Sequence, residues 1–433
     1  MKTDRTLLLI LVLLHVGLAL AYAKVTPFLT PGILFYQKGP DGRPAQVPDV
    51  GAPDEMPHVV YVEYVASGKG FPVLRVDDPD LSRNYQSHQP PVFYVLEAAW
   101  STLFKGLLGQ QMALRSLNAI IGGITVAGVF ALGWWGTRRR ELALGGAAFA
   151  ALLPMNVALS GAVSNDPLLF CTCTWSLAIA SLIFTEGPTR VRLIALGVVT
   201  GLAFLTKTTS LALIPALGVG WLLARKKVPL KSFAAASGLA LLMGALWWVR
   251  NQQLYGDPFA LGVFTAAFKD SPKASMFIDG LGAFTYWTDW VGWWTARSFI
   301  GVFGYMDIFL GDKFYRVALA IIVLLGLLGL LELSKKSESE VESKPVTAMN
   351  AVFLVTVIVL FMKFNATYFQ GQARYLLPAL GPIGLGIGLG LAYIGKSRSL
   401  VPVALLALLL VVLNGYILST LPSEFAKRTL GIL

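Results

Sequence analysis

The stretch MALRSLNAIIGGITVAGVFALGWWGTRRR, residues 112–140, decides the class of this protein. From Leu117 to Trp135 it carries no charged side chain, which is the length a helix needs to cross a bilayer, about 20 residues. Arg115 stands at one end, and Arg138, Arg139 and Arg140 close the other. A soluble amphipathic helix would place charge along one face throughout its length. Here charge is confined to the ends, as in a membrane span whose more basic end faces the cytoplasm.

Ten further apolar segments follow the same rule, at residues 7–23, 142–158, 168–184, 193–205, 208–223, 233–249, 317–331, 349–362, 375–394 and 400–418. Eleven spans of about 20 residues would take up roughly half of the chain. Composition agrees: 55% of the 433 residues are hydrophobic and 14% charged, against roughly 25% charged in a soluble domain. The fold class expected is an all-α polytopic membrane protein of about eleven transmembrane helices, one integral-membrane domain over 1–433 without a large soluble unit. The net charge of +11 belongs to loop cations that set orientation, and no nucleic-acid partner is implied. Cys171 and Cys173, two apart on a helix, point to different faces and read as packing residues.

Loop charge gives the orientation. With the N-terminus inside, sixteen cations fall in short inner segments: Lys2, Arg5, Arg138 to Arg140, Arg190, Arg192, Arg225 to Lys227, Lys231, Lys335, Lys336, Lys344, Lys396 and Arg398. Only Lys207, Lys363 and Arg374 fall in short outer ones. The first segment ends in AYA and reads as an anchor in preference to a cleaved signal peptide; the following loop, 24–111, is outside either way. Two apolar stretches, 91–108 with Glu97 and Lys105, and 284–310 with Asp289, Arg297, Asp307 and four tryptophans, are expected to lie at the outer surface, the second within an outer region spanning 250–316. Charge is costly at the bilayer centre, whereas Trp favours the interface. SKKSESEVESK, within a charged segment at 333–347, reads as a solvated cytoplasmic linker.

Unusual polar residues then sort to one side. In the first outer loop, PDEMPHVVYVEYVASG puts Asp54, Glu55, His58 and Glu63 on a short helix that begins at Pro53 and stops at Gly68. Beyond it come His88, Arg115, Asn165 and Asp166, Lys207, Arg250, and Arg374 with Tyr375, all at outer ends of spans or in outer loops. A lone outer Arg or Lys is more often a headgroup anchor, an Asn-Asp pair before Pro is ordinarily a cap, and His15 reads as a packing residue. Their combination on one face of a chain sparing with charge points to chemistry there. A carboxylate can take a proton from an incoming nucleophile while Arg and Lys stabilise charge on a departing phosphate. No GxxxxGK[ST] loop is present, so no nucleotide cofactor is implied and the substrate must arrive activated.

The segments PDEMPHVVYVEYVASG, SHQPPVFY, ALRSLNAIIGG, LPMNVALSGAVSNDPLL, GLAFLTKTT, WWVRNQQLYGDP, SFIGVFGYMD and ARYLLP follow one another in an order that resembles polytopic GT-C glycosyltransferases. The chain is similar to the bacterial and archaeal relatives of dolichyl-phosphate-mannose protein mannosyltransferases and aminoarabinose transferases. The resemblance implies an inverting transfer of a sugar from a polyprenyl-phosphate carrier to a lipid or glycan acceptor, at the extracytoplasmic face of the plasma (inner) membrane. It implies Asp54 as catalytic base, with Glu55 orienting the acceptor or assisting a metal. It implies substrate or lipid-phosphate contacts at His88, Arg115, Asp166, Lys207, Arg250 and Arg374, to which the local clustering adds His58 and Tyr375. A divalent ion such as Mg or Mn would fall to Glu55, His88 and Asp166. HQPP departs from the acidic-Lys pair that precedes PP in aminoarabinose transferases. A transporter or flippase for a lipid-linked or anionic substrate is the rival reading; it would show internal repeats and polar residues or broken helices near the midplane, whereas this sequence shows no clear repeat and the inner portions of its spans carry no acids or bases.

Overall fold

A computed structural model describes residues 2–38, 42–335, 340–396 and 399–429. Among the described residues, eight helices are long and apolar enough to cross a membrane: Thr3–Val25, Gln110–Thr137, Asp166–Glu186, Leu230–Tyr255, Asp312–Ser334, Lys344–Asn365, Leu377–Ile394 and Val401–Ala426. A ninth unit is broken. Arg140–Leu152 and Pro154–Ser160 meet at 60°, where the sequence reading expected one continuous span over 142–158. Pro154 supplies no backbone N–H and forces Leu153 out of the helical region, to ψ 115°. His15 braces the elbow from the first span: its Nδ1 lies 2.8 Å from the Ala151 carbonyl and its Nε2 3.1 Å from the Ser160 hydroxyl.

Two shorter helices, Arg190–Phe204 and Leu213–Ala224, complete the set. Ion pairs and hydrogen bonds cluster at the two ends of the bundle. At one end Arg140 pairs with Asp4, Arg138 and Arg192 share Glu186, Arg139 pairs with Glu332, and Lys227 reaches the Thr185 carbonyl. At the other end Lys207 meets Asp166, Arg374 meets Asp54, and Arg428 meets Asp307. Among the described residues, the basic loops gather at the first of these ends.

The core is built on small residues. Every residue from Glu141 to Leu152 is buried. A Cβ at Gly388 would come within 2.3 Å of the Leu142 carbonyl oxygen, and one at Gly146 within 2.8 Å of the Gly384 oxygen. Such close backbone approach is how helices associate where lipid offers no hydrophobic gradient.

The two apolar surface stretches do not form spans. Residues 91–108 become the helix Val92–Leu108, and residues 284–310 become a π-turn at Tyr286–Gly292, the helix Trp293–Ile300 and a hairpin pairing Val302–Phe303 with Ile308–Phe309. The charged linker is shorter than expected, since helices run to Ser334 and from Glu340; Lys336 and the rest of 336–339, with Arg398, lie outside the described residues. In the first outer loop, Gly32–Lys38 pairs antiparallel with Pro44–Val47. That hairpin is clamped by Asp307, which accepts from the Phe35 and Tyr36 amides and from Arg428 Nε at 2.6 Å, while the Ile33 amide donates to the Arg428 carbonyl.

Candidate active site

The site begins with a backbone feature. Asp54 is not in the first turn of its helix but precedes it, with φ 60° and ψ 11°; the helix runs Glu55–Ala66 and stops at Gly68, whose φ is +76°. A left-handed conformation is uncommon for a non-glycine residue, though Asp and Asn tolerate it best. The turn sends the Asp54 carboxylate away from the helix that Glu55 begins.

The two neighbours consequently face different partners. Glu55 is fully buried and takes both ends of Arg115, at 2.8 Å from Nε and 2.5 Å from Nη2. Arg115 spends its remaining donors on the carbonyls of Ala23, Thr26 and Pro27, and the Val163 amide donates to Glu55. This corrects two expectations. Arg115 has no donor left for a lipid phosphate, and Glu55 has no free oxygen for an acceptor or a metal. Their work is mechanical: they fasten the end of the first span to the helix that presents Asp54.

Asp54 itself pairs with Arg374, and its Oδ1 accepts the Tyr85 hydroxyl at 2.5 Å. Burial works to raise the Asp54 pKa, but the Arg374 guanidinium and the Tyr85 hydrogen bond outweigh it and hold the carboxyl at about 2. Arg374 sits on a 3-10 turn, Ala373–Tyr375, ahead of the span beginning at Leu377; the sequence reading had started that span at Tyr375. The turn is pinned because the Ala373 amide donates to the Ser298 hydroxyl at 2.8 Å. Arg374 Nη2 also donates to the Tyr375 hydroxyl, and its Nε is buried without a partner.

A second pair lies beside the first. Asp166 opens the helix Asp166–Glu186, and Lys207 Nζ donates to its Oδ1 at 2.6 Å. Lys207 also lies 6.0 Å above the Tyr375 ring. His58 is within electrostatic reach of both pairs and meets the Tyr94 hydroxyl at 2.9 Å. Burial, helped by Lys207 and Arg374, depresses its pKa to about 3 against the pull of the carboxylates, so the imidazole is neutral. His88 borders the cluster with Nδ1 on the Tyr85 carbonyl, and burial lowers its pKa to about 4.

The structure thus brings Asp54, His58, Asp166, Lys207, Arg374 and Tyr375 together, with His88 at the edge. Arg250 stands apart: it donates to the Phe71 and Pro72 carbonyls and stacks 4.2 Å from the Trp247 ring. The trio expected to hold a divalent ion is otherwise engaged: Glu55 with Arg115, Asp166 with Lys207, and His88 Nε2 with the Gln89 side-chain nitrogen at 3.2 Å. Among the described residues no three His, Cys, Asp or Glu side chains gather as ligands, so the side chains present do not fit a resident metal ion. Sequence reasoning missed Tyr85; its spacing of three from His88 in SRNYQSH, one turn of 3-10 helix, was the available signal.

Comparison with known proteins supplies the frame for this geometry. A family model described as dolichyl-phosphate-mannose-protein mannosyltransferase matches residues 88–248, which include Asp166 and Lys207. ArnT from Cupriavidus metallidurans, solved bound to undecaprenyl phosphate, superposes with a TM-score of 0.52 at 15% identity, covering 90% of this chain and 61% of that one. The chain is thus similar in fold to this membrane protein. The oligosaccharyltransferase AglB from Archaeoglobus fulgidus, solved with an inhibitory peptide and a dolichol-phosphate, is similar in fold with a TM-score of 0.51 at 14% identity, covering 98% of this chain and 56% of that one. The chain therefore spans about six tenths of the length of either structure. No curated protein matches it in sequence.

Proposed function

We propose that the chain is a glycosyltransferase that moves a sugar from a polyprenyl-phosphate carrier to a lipid or glycan acceptor, at the outer face of the plasma membrane, by inverting displacement. The observation that carries this reading is the juxtaposition of Asp54 with Arg374 and of Asp166 with Lys207: carboxylate and cation side by side at one end of an apolar bundle. The solved neighbours hold undecaprenyl phosphate or a dolichol-phosphate, ligands that match such cations.

In the step proposed, an acceptor hydroxyl loses its proton to Asp54 as its oxygen bonds to the anomeric carbon. The bond from that carbon to the carrier phosphate breaks, and the electron pair leaves with the phosphate, held by Lys207 and Arg374. Neutral His58 can donate a hydrogen bond to substrate without adding charge. Incubating purified protein with a panel of polyprenyl-phosphate sugars, followed by mass spectrometry for carrier consumption and acceptor gain, tests the reading. Asp54→Asn should abolish transfer. Consumption of no carrier, or unaltered turnover by that variant, would overturn it.

A further inference from the structure

The side chain placed to act as base and the side chain placed to grip phosphate are bound to each other. Both Asp54 oxygens are occupied, Oδ2 by Arg374 and Oδ1 by Tyr85. Arg374 is nearly buried, and its fixed partners are Asp54 and the Tyr375 hydroxyl. In this arrangement an acceptor hydroxyl meets a carboxylate already hydrogen-bonded at both oxygens, and a lipid phosphate meets a guanidinium whose charge is already balanced.

Resting on the function proposed above, we infer that the carrier phosphate exchanges with Asp54 for Arg374, so that donor binding itself unlocks the base. The donor's phosphodiester carries the same single negative charge as the carboxylate and offers two non-bridging oxygens, the number that one edge of a planar guanidinium can take. Arg374 Nε, buried without a partner, is the donor left over when Arg374 faces Asp54, and a phosphate could use it alongside Nη2. Tyr85 remains on Oδ1 throughout, a positioning residue that keeps the released carboxylate pointed at the acceptor. Once Arg374 turns to phosphate, Asp54 loses the cation that made it a poor proton acceptor. Acceptor activation before donor arrival is thereby suppressed, and binding is ordered with the donor first.

An internal ion pair competing for the ligand's partner reduces apparent affinity by the fraction of molecules in which that partner is free. Removing the competitor should therefore tighten binding. Affinity of purified protein for undecaprenyl phosphate in detergent is measured for wild type, Asp54→Asn, Arg374→Gln and the double variant. Asn tolerates the left-handed backbone at position 54, and thermal unfolding checks that each variant is folded. Exchange is supported if Asp54→Asn binds tighter, on the order of tenfold, and the gain vanishes in the Arg374→Gln background, the signature of two residues acting on one another. It is overturned if Asp54→Asn binds no tighter, or if the gain persists undiminished without Arg374, which would mean simple removal of negative charge near an anion site. In both of those cases, weaker binding by Arg374→Gln leaves the phosphate-site reading standing. If Arg374→Gln binds as well as wild type, the phosphate-site reading itself fails and the exchange with it.

Discussion

Asp54 and Glu55 are consecutive residues whose carboxylates belong to separate ion pairs: Asp54 is part-exposed and faces Arg374, whereas Glu55 is sealed against Arg115. A left-handed turn at Asp54 divides them. Removing one partner of a buried pair leaves an uncompensated charge and costs roughly 3–5 kcal/mol. Arg115→Ala and Glu55→Gln should therefore lower thermal stability sharply, with the surviving folded fraction keeping most of its turnover per molecule. A Glu55→Gln protein as stable as wild type but inactive would return Glu55 to the chemistry.

Tyr85 offers the converse case. Tyr85→Phe deletes a hydrogen bond to a charged group, worth about 1.5–3 kcal/mol, while preserving the ring that packs against Phe268. We expect kcat to fall on the order of tenfold or more, with the KM for the donor unchanged. An effect on donor KM alone would place Tyr85 in carrier binding instead.

The pH profile follows from the pairing. Asp54 is ionised until pH falls through about 2, and His58 is neutral above about 3. The profile of kcat/KM, which reports the free enzyme, should be flat from pH 5 to 7, without the step near 6.5 that an ordinary histidine gives. In the donor complex Asp54 has given up Arg374, so the acid limb of kcat should lie at higher pH than that of kcat/KM. Coincident limbs would argue that Asp54 keeps the same partner before and after donor binding.

Stability should depend on pH with two opposing signs. Asp54, lowered from 3.8, contributes stability above that value that is lost as pH falls toward 2. Asp49 behaves oppositely. It is buried, its Oδ1 accepts the Thr30 and Gly51 amides, its Oδ2 has no partner, and desolvation raises its pKa to about 7. Protonation is favoured in the folded state, so stability should fall between about pH 4 and 7 and then level. Glu97, buried with neither oxygen partnered and pushed well up by desolvation, acts in the same direction. Thermal unfolding of Asp49→Asn and Glu97→Gln across that range should each show a shallower decline than wild type; an unchanged slope in both would discard the assignment.

The bundle was legible because its signal is local. Runs such as residues 117–135 read as spans from hydropathy alone. The elbow at Leu153 was less so, since a proline in an apolar run can either kink or begin a helix. At the site, the residue types were legible and the partnerships were not. Nothing in DE distinguishes the carboxylate that meets Arg115, sixty residues on, from the one that meets Arg374, 320 residues on. That choice is made by a backbone angle and by the arrival of distant helices. Arg115 looked like a phosphate ligand because it stands at the right depth, yet burial with four acceptors had already claimed it.

The Asp307 clamp bears on how the molecule is made. The hairpin at Gly32–Lys38 leaves the ribosome early, yet two of its amides wait for Asp307, and Asp307 in turn for Arg428. Those two amides thus stay without their carboxylate partner until Asp307 arrives, and Asp307 without its guanidinium until the helix Val401–Ala426 brings Arg428. Errors in late helices should therefore appear first as protease sensitivity in the earliest loop.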